Sequence, residues 1–410
     1  MNLLPLYIDP GTGSALFSIA IGIAAVVYFL VRGILIKTKI FAFRGKNKDQ
    51  HNYKYVLYAE DKRYYNFFEP ILDEFESRKI DVLYLTSSPD DPVFSAGYSH
   101  IQAKDIGQGN KAYAYLNFLS AEFLLTTTPE LNVLQWKRSK GVKHYCHFIH
   151  AAGGPSLYRR YALDYFDSVL LSSDKDIDEI HTLERVRGLP EKQLLVVGNT
   201  YFDRAVEKVK QIPKTDGNNI TVLISPSWGP SALLSVYGEN LLTPLSQTDF
   251  HIIIRPHPQS LITEKQLIDS LMEKYKDNNN IEWDFNHDNL YALSKADIMI
   301  SDFSGIIYDF AFLYNKPVIV NIQNLDFRRL DAHDLAEKPF YYEAFLKVGK
   351  ELDDSNLNSA KDLILDLINN DTYKNAREEI MNIMWQFPGE SAKRIVDFAI
   401  ETAEKDKDKT

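Results

Sequence analysis

Four clusters of polar residues in this chain have the types and spacing needed to hold an oxyanion and move a proton. In Ser301-Asp302-Phe303-Ser304-Gly305, hydroxyls and a glycine stand between an apolar run and the apolar stretch Ile306 to Leu313. If a strand enters this cluster and a helix leaves it, the first N–H groups of the helix, with the hydroxyls of Ser301 and Ser304, form a phosphate site aligned with the helix dipole. Ordinary capping by Ser304 or Asp302 would use the same residues, and a carboxylate at 302 suits orienting a hydroxyl or a neighbouring arginine. In Arg255-Pro256-His257-Pro258, two prolines fix the backbone. A guanidinium there can grip phosphate through two parallel hydrogen bonds, and an imidazole can give a proton near neutral pH. The third cluster is Ser225 to Pro230 (SPSWGP), and the fourth is His147-Phe-Ile-His150, followed by the small residues Ala151 to Gly154. His150 is a candidate general base, with a structurally bonded histidine as the alternative. Zinc is disfavoured, because alternation along a strand sends His144, Cys146 and His150 to one face and His147 to the other. Arg159 and Arg160 could meet an anionic acceptor, although a basic pair on a helix is often only a solvated face.

These clusters matter if they end strands, since ligands gather at the carboxyl ends of parallel strands. From Tyr53 onward, short β-branched and aromatic runs alternate with longer amphipathic stretches, which predicts an α/β chain with parallel sheets. Strands are expected at Tyr55 to Tyr58, Asp81 to Leu85, Phe123 to Thr126, His144 to Ile149, Ser168 to Leu171 and Leu194 to Val197, with helices such as Tyr64 to Arg78 and Asp174 to Val186. The polar segment Lys210 to Asn219 reads as a linker. Strands then resume at Thr221 to Ile224, His251 to Ile254, Ile281 to Trp283, Asp297 to Ile300 and Val318 to Val320, and Ser359 to Ala403 reads as helices. The expected organisation is two Rossmann-like domains, residues 53–209 and 220–400, facing a cleft and followed by a charged tail, 401–410.

Composition narrows the class. With 410 residues, 45% of them apolar, the chain can bury two cores. A net charge of -10 argues against a nucleic-acid partner, and a single cysteine, Cys146, fits a reducing compartment. Ala15 to Val31 carries no charge, and Gly33 to Ile36 extends the apolar stretch beyond Arg32. The expectation is one transmembrane helix over 14–36, after an external or interfacial segment 1–13 and before a basic juxtamembrane linker 37–52. Lysines and arginines follow the helix, so the positive-inside rule puts the later domains in the cytoplasm. Asp9 to Gly13 reads as a tight turn.

Taken together, the strand-end His150, the segment Ile252 to Pro258 (IIIRPHP) and the segment Ser301 to Val320 (SDFSGIIYDFAFLYNKPVIV) resemble the CDP-glycerol:poly(glycerophosphate) glycerophosphotransferase family, which includes teichoic-acid primases and polymerases. The resemblance covers roughly residues 120–390, and Ser225 to Pro230 is similar to that family's loop after the first donor-domain strand. It implies a glycosyltransferase-B fold, with His150 as the base, His257 as the second catalytic histidine, and Arg255, Asp302 and Ser304 at the donor phosphates. Ser301, Gly305, Ser227, Trp228 and Gly229 complete the expected donor site, and Arg159 and Arg160 the acceptor side. The implied reaction transfers glycerol phosphate from CDP-glycerol, or ribitol phosphate from CDP-ribitol, to a membrane-bound acceptor, either a lipid-linked glycan or a polyol phosphate. No cofactor is expected, and no protein-bound metal, since no carboxylate cluster of the magnesium-holding kind is evident. The rival readings are a nucleotide-sugar glycosyltransferase of the same fold and an inert membrane-tethered binding protein.

Overall fold

In the computed structural model, residues 21–33, 52–150, 152–213, 219–286, 288–323 and 325–405 are described. Seven parallel strands form the first sheet: β1 (Tyr53–Ala59), β2 (Val82–Thr86), β3 (Ile101–Asp105), β4 (Ser120–Thr126), β5 (Gly141–Phe148), β6 (Ser168–Leu171) and β7 (Gln193–Val196). Their order is β3-β2-β1-β4-β5-β6-β7. The second sheet holds β8 (Thr221–Ile224), β9 (His251–Ile254), β10 (Ile281–Trp283), β11 (Ile298–Ser301), β12 (Val318–Val320) and β13 (Lys350–Glu351). Its order is β10-β9-β8-β11-β12-β13, again all parallel. In both sheets the order of strand addition reverses once, between β1 and β4 and between β8 and β11. In doubly wound sheets those switch points open the crevices that take ligands.

Burial explains the near-continuous apolar strands. In β1, Tyr55, Leu57 and Ala59 enter one core, while Val56 and Tyr58 enter another on the opposite face. Strands covered on both faces lose the polar alternation of a half-solvated sheet. The polar run of β3 had given no such signal, because β3 is an edge strand with only Ile101 buried. The same holds for the two-residue edge strand β13, which is partly exposed.

The C-terminal helix differs from the expected division of the chain. Ser391–Lys405 does not complete the second domain: Ile395, Val396, Phe398, Ala399 and Ala403 pack into the first sheet's core beside helix Tyr65–Ser77. Asp203 guides the crossing, its carboxylate accepting from the indole of Trp385 (3.0 Å) and from the N–H groups of Gly389 and Ser391 (2.8 and 3.2 Å). Asp203 lies on helix Thr200–Gln211, which also sends Phe202 and Ala205 into the second domain's core. The two domains are therefore joined in both directions.

Residues 21–33 are helical with their large apolar side chains exposed. Among the described residues no helix is long and apolar enough to cross a membrane. The other parts of the expected span, 14–20 and 34–36, lie outside the described residues, as do Asp9 to Gly13, Lys214 to Asn218 of the linker and the last five residues of the tail.

Candidate active site

Two cavities meet at His150. The first, about 370 Å³, lies between the domains and is lined by Ser225, Pro226, Arg255 to Pro258, Ser304 and Gly305 from the second domain. The first domain contributes Arg63, Asn66, Phe67, Tyr201, Arg204 and Lys208. The second cavity, about 1000 Å³, is lined by residues that follow β1 and β4, together with Trp136, Tyr158, Arg159 and Trp228. His150 lines both.

His150 follows β5 and sits in an aromatic cage. Its ring is edge-on to Tyr64 (4.9 Å between centroids) and Phe67 (5.6 Å) and stacks on Tyr158 (5.9 Å), whose hydroxyl is 3.4 Å from Nδ1. Burial in this cage lowers its pKa to about 4, a hydrogen bond to the Thr127 backbone offsetting part of the effect. The ring is thus neutral at pH 7 and able to accept a proton. His257, after β9, is likewise pushed down to about 4 by burial and by the positive charge of Arg63. The N–H of Gln259 donates to its Nδ1 (3.1 Å), so the neutral ring carries its proton on Nε2. This histidine is therefore a fixed hydrogen-bond donor. His147 lines neither cavity and is fully buried beside Phe166 and Tyr158. Cys146 lies in the core on the opposite face of the sheet, as strand alternation requires. Among the described residues no group of three or more His, Cys, Asp or Glu side chains could hold a metal.

At the second sheet's switch point, Ser304 and Gly305 line the first cavity at the start of helix Ile306–Tyr314, where N–H groups and the helix dipole favour an anion. Their two neighbours do other work. Ser301 is buried and donates to the carbonyl of Ser225 (2.6 Å). Asp302 is also buried and accepts from the N–H groups of Ser227 and Leu233 (2.8 Å each). Burial raises its carboxyl to about 6, with those backbone bonds pulling the other way. Both side chains brace the loop after β8 against the loop after β11, instead of meeting a donor phosphate. Ser227 reaches that brace through its backbone, and Gly229 supplies a left-handed turn (φ 96°) with open space around it. Trp228 projects from the same loop, near His257 (6.4 Å between ring centroids) and into the second cavity.

The arginines divide similarly. Arg255 lines the first cavity, but Asp284 (2.5 Å) and the Asn286 carbonyl (2.7 Å) already hold its guanidinium. Arg159 reaches the second cavity, whereas Arg160 turns to Asp334 across the domain boundary (2.5 Å). Arg160 joins a network there in which the buried Arg187 bonds Asp164, Asp331 and Asp334.

Sequence reasoning passed over the first domain's cationic wall. Tyr201, Arg204, Ala205 and Lys208 all line the first cavity, and their spacing puts them on one face of helix Thr200–Gln211. That spacing was a readable signal. Asp309 was also missed: it lines the cavity, accepts from Asn289 (3.1 Å) and Tyr201 (3.3 Å), and burial raises its carboxyl to about 7.

This two-sheet arrangement is similar to that of several solved structures. A Listeria monocytogenes protein described as a UDP-N-acetylglucosamine 2-epimerase aligns with a TM-score of 0.56 at 14% identity, over 87% of this chain and 98% of its own. The UDP-GlcNAc 2-epimerase of Methanocaldococcus jannaschii, in complex with UDP-GlcNAc and UDP, aligns at 0.55 and 15% identity, over 85% and 99%. The Neisseria meningitidis UDP-GlcNAc 2-epimerase bound to UDP-GlcNAc aligns at 0.53 and 15%, over 85% and 100%. At these identities the likeness concerns the fold alone, a pair of Rossmann-like domains resembling glycosyltransferase-B enzymes. No curated protein sequence matches the chain. The sequence model of one family does match, over residues 166–398, more than half of the chain and including the loops after β8, β9 and β11. The chain belongs to the CDP-Glycerol:Poly(glycerophosphate) glycerophosphotransferase family.

Proposed function

We propose that the protein transfers glycerol phosphate from CDP-glycerol to a hydroxyl of a lipid-linked acceptor, releasing CMP, in the synthesis of a cell-surface polymer. The observation that carries this reading is the position of His150 in the wall shared by two cavities, one suited to each substrate. In the interdomain cavity, the helix start at Ser304 and Gly305, the Nε2–H of His257 and the cationic face of Arg63, Arg204 and Lys208 suit a pyrophosphate. The acceptor hydroxyl enters from the other side and loses its proton to the neutral His150. Its oxygen attacks the phosphorus next to glycerol, a new P–O bond forms, and the bond to CMP breaks with its electron pair left on the CMP phosphate. His257 donates a hydrogen bond to that departing oxygen. Positioning and charge stabilisation supply the rate, as in other phosphoryl transfers. CDP-ribitol would satisfy the same contacts.

The uncharged N-terminal run and the basic residues after it support a single-pass anchor in the cytoplasmic membrane, with both domains in the cytoplasm. Such an anchor raises the effective concentration of lipid-linked acceptors.

The test is CMP release from CDP-glycerol by detergent-solubilised protein with lipid-linked acceptors, comparing the intact chain with His150→Ala and His257→Ala. Acceptor-dependent release that falls at least about 100-fold in His150→Ala supports the reading. Turnover of a nucleotide sugar in place of CDP-glycerol or CDP-ribitol would replace it with a glycosyltransferase.

A further inference from the structure

The loop after β8 runs from one cavity to the other. Ser225 and Pro226 line the first cavity, and Trp228, two residues on, lines the second. Every other described residue that lines the second cavity, from Glu60 to Arg159, belongs to the first domain, so among the described residues the donor domain sends a single side chain across the boundary. Its ring lies 6.4 Å from that of His257, tilted by 34°, and His150 lines the same cavity. The indole thus flanks the junction where a hydroxyl from one cavity must meet a phosphorus in the other.

The backbone of this residue is pinned on both sides. The Asp302 carboxylate accepts from the N–H groups of Ser227 and Leu233 (2.8 Å each), and the carbonyl of Gly229 accepts from Ala232 (3.1 Å). Pro226 and Pro230 stiffen the turn between them. The side chain, in contrast, is 40% exposed and fills no core. A fixed backbone that holds an uncovered indole at a cavity junction gives it work in the cavity. Indole has no titratable group and accepts no hydrogen bond, so it does not compete with His150 for a proton. It occupies volume and displaces water.

The reaction needs that displacement. The neutral His150 takes a proton from any hydroxyl that reaches it, water included. Water is smaller than any acceptor and far more abundant. In the wasteful reaction, the oxygen of water forms the new P–O bond at the phosphorus next to glycerol and its proton passes to His150. CMP leaves with the electron pair of the broken bond, and the donor is spent as free glycerol phosphate. We propose that Trp228 is the residue that sets the choice between acceptor and water: its indole narrows the junction, so that a stray water is not held in line for attack while an acceptor anchored in the second cavity is. This rests on the transferase reading and deepens it, giving Trp228 a part in specificity that contact with the donor alone would not.

The experiment measures CMP release from CDP-glycerol by the full detergent-solubilised chain, first without acceptor and then with an alkyl-linked disaccharide or an alkyl-linked glycerol phosphate oligomer. Trp228→Ala should raise acceptor-free release at least about tenfold over the intact chain, with free glycerol phosphate formed in equal amount. Trp228→Phe, which keeps a flat apolar ring, should raise it less. The gain should vanish when His150→Ala is added to Trp228→Ala, because the invading water needs the same base. A merely structural Trp228 would lower the acceptor-free and acceptor-dependent rates together. Acceptor-free release that stays level or falls in both variants therefore overturns the inference and leaves the transferase reading standing, and so does a gain that survives His150→Ala. If neither the intact chain nor any variant releases CMP from CDP-glycerol under any of these conditions, the transferase reading falls, and this inference with it.

Discussion

Gly154 tests whether the contact between the domains holds the two histidines in working geometry. It lies in the loop after β5, four residues from His150, with φ −64° and ψ 160°, a backbone that alanine adopts without strain. A Cβ there would nevertheless fall 2.1 Å and 2.2 Å from two ring carbons of Tyr341, against 3.4 Å for ordinary contact, so the ring would have to retreat by about 1.3 Å. Tyr341 has little room to do so. It is 1% exposed, its hydroxyl bonds Asp176 (3.2 Å), and its carbonyl accepts from Tyr308 (2.9 Å). Tyr341 belongs to the second domain and Gly154 to the first, so relief comes by opening the cleft. Overpacking of this kind costs about 1–3 kcal/mol, and a misplacement of about 1 Å between reacting groups costs about 100-fold in rate. Gly153→Ala is the control, since its Cβ would meet only Leu157 at an ordinary 3.6 Å. Thermal unfolding and acceptor-dependent CMP release should both separate the variants, with Gly154→Ala melting several degrees lower and turning over about 100-fold more slowly. If Gly154→Ala matches Gly153→Ala in both measurements, the domain contact does not set the geometry of the site.

The remaining predictions concern charge. With His150 and His257 both titrating near 4, kcat/KM should be flat from pH 8 to about 5 and fall below that, and His257→Gln, which retains an N–H donor, should keep more activity than His257→Ala. His147 is buried, and burial followed by the nearby His150 lowers its pKa well below 6.5, a hydrogen bond with the Thr128 backbone offsetting part of the effect. A depressed folded pKa means that the unfolded chain takes up the proton first, so this residue's contribution is intact above pH 6.5 and lost as pH falls below it. In urea unfolding, His147→Leu should gain on the wild type by about 1.4 kcal/mol per pH unit over that acid range, and a constant difference would refute the assignment. Arg187→Ala removes the cation between Asp164 and Asp331 and leaves Asp334 to Arg160 alone, and should lose about 3–5 kcal/mol in the same assay.

Much of the site was legible because position at a strand end constrains function. His150, His257, Ser304 and Gly305 all follow strands and all reach the first cavity. The misreadings share one physical cause: a polar side chain at a strand end can serve a neighbouring loop as readily as a ligand, and the sequence does not reveal its partner. Asp302 finds the N–H groups of Ser227 and Leu233, 75 and 69 residues away, while Arg255 finds Asp284 and Arg160 finds Asp334, 29 and 174 residues on. Each pairing depends on which strands lie side by side, and local spacing carries no record of that. The C-terminal helix was misassigned for the same reason, since the contacts that carry it back to the first sheet, those of Asp203 and the ion pair of Asp397 with Arg78 (2.6 Å), join residues far apart in the chain.

The overlooked cations make the complementary case. Arg204 and Lys208 were readable as one helix face with Tyr201, but such a face is solvated in most helices, and helix Thr200–Gln211 differs only because the second domain closes over it. The Tyr201 hydroxyl makes that closure specific: it reaches Asn289 (3.4 Å), just before helix Leu290–Lys295, and the Asp309 carboxylate (3.3 Å) in the first turn of helix Ile306–Tyr314. The cavity's charge is therefore a property of the closed pair of domains. Opening the cleft would separate Arg204 and Lys208 from Ser304 and Gly305, dismantling the anion site without altering either half. For this reason a substitution at Gly154, which touches no substrate, should disable the site as effectively as one inside it.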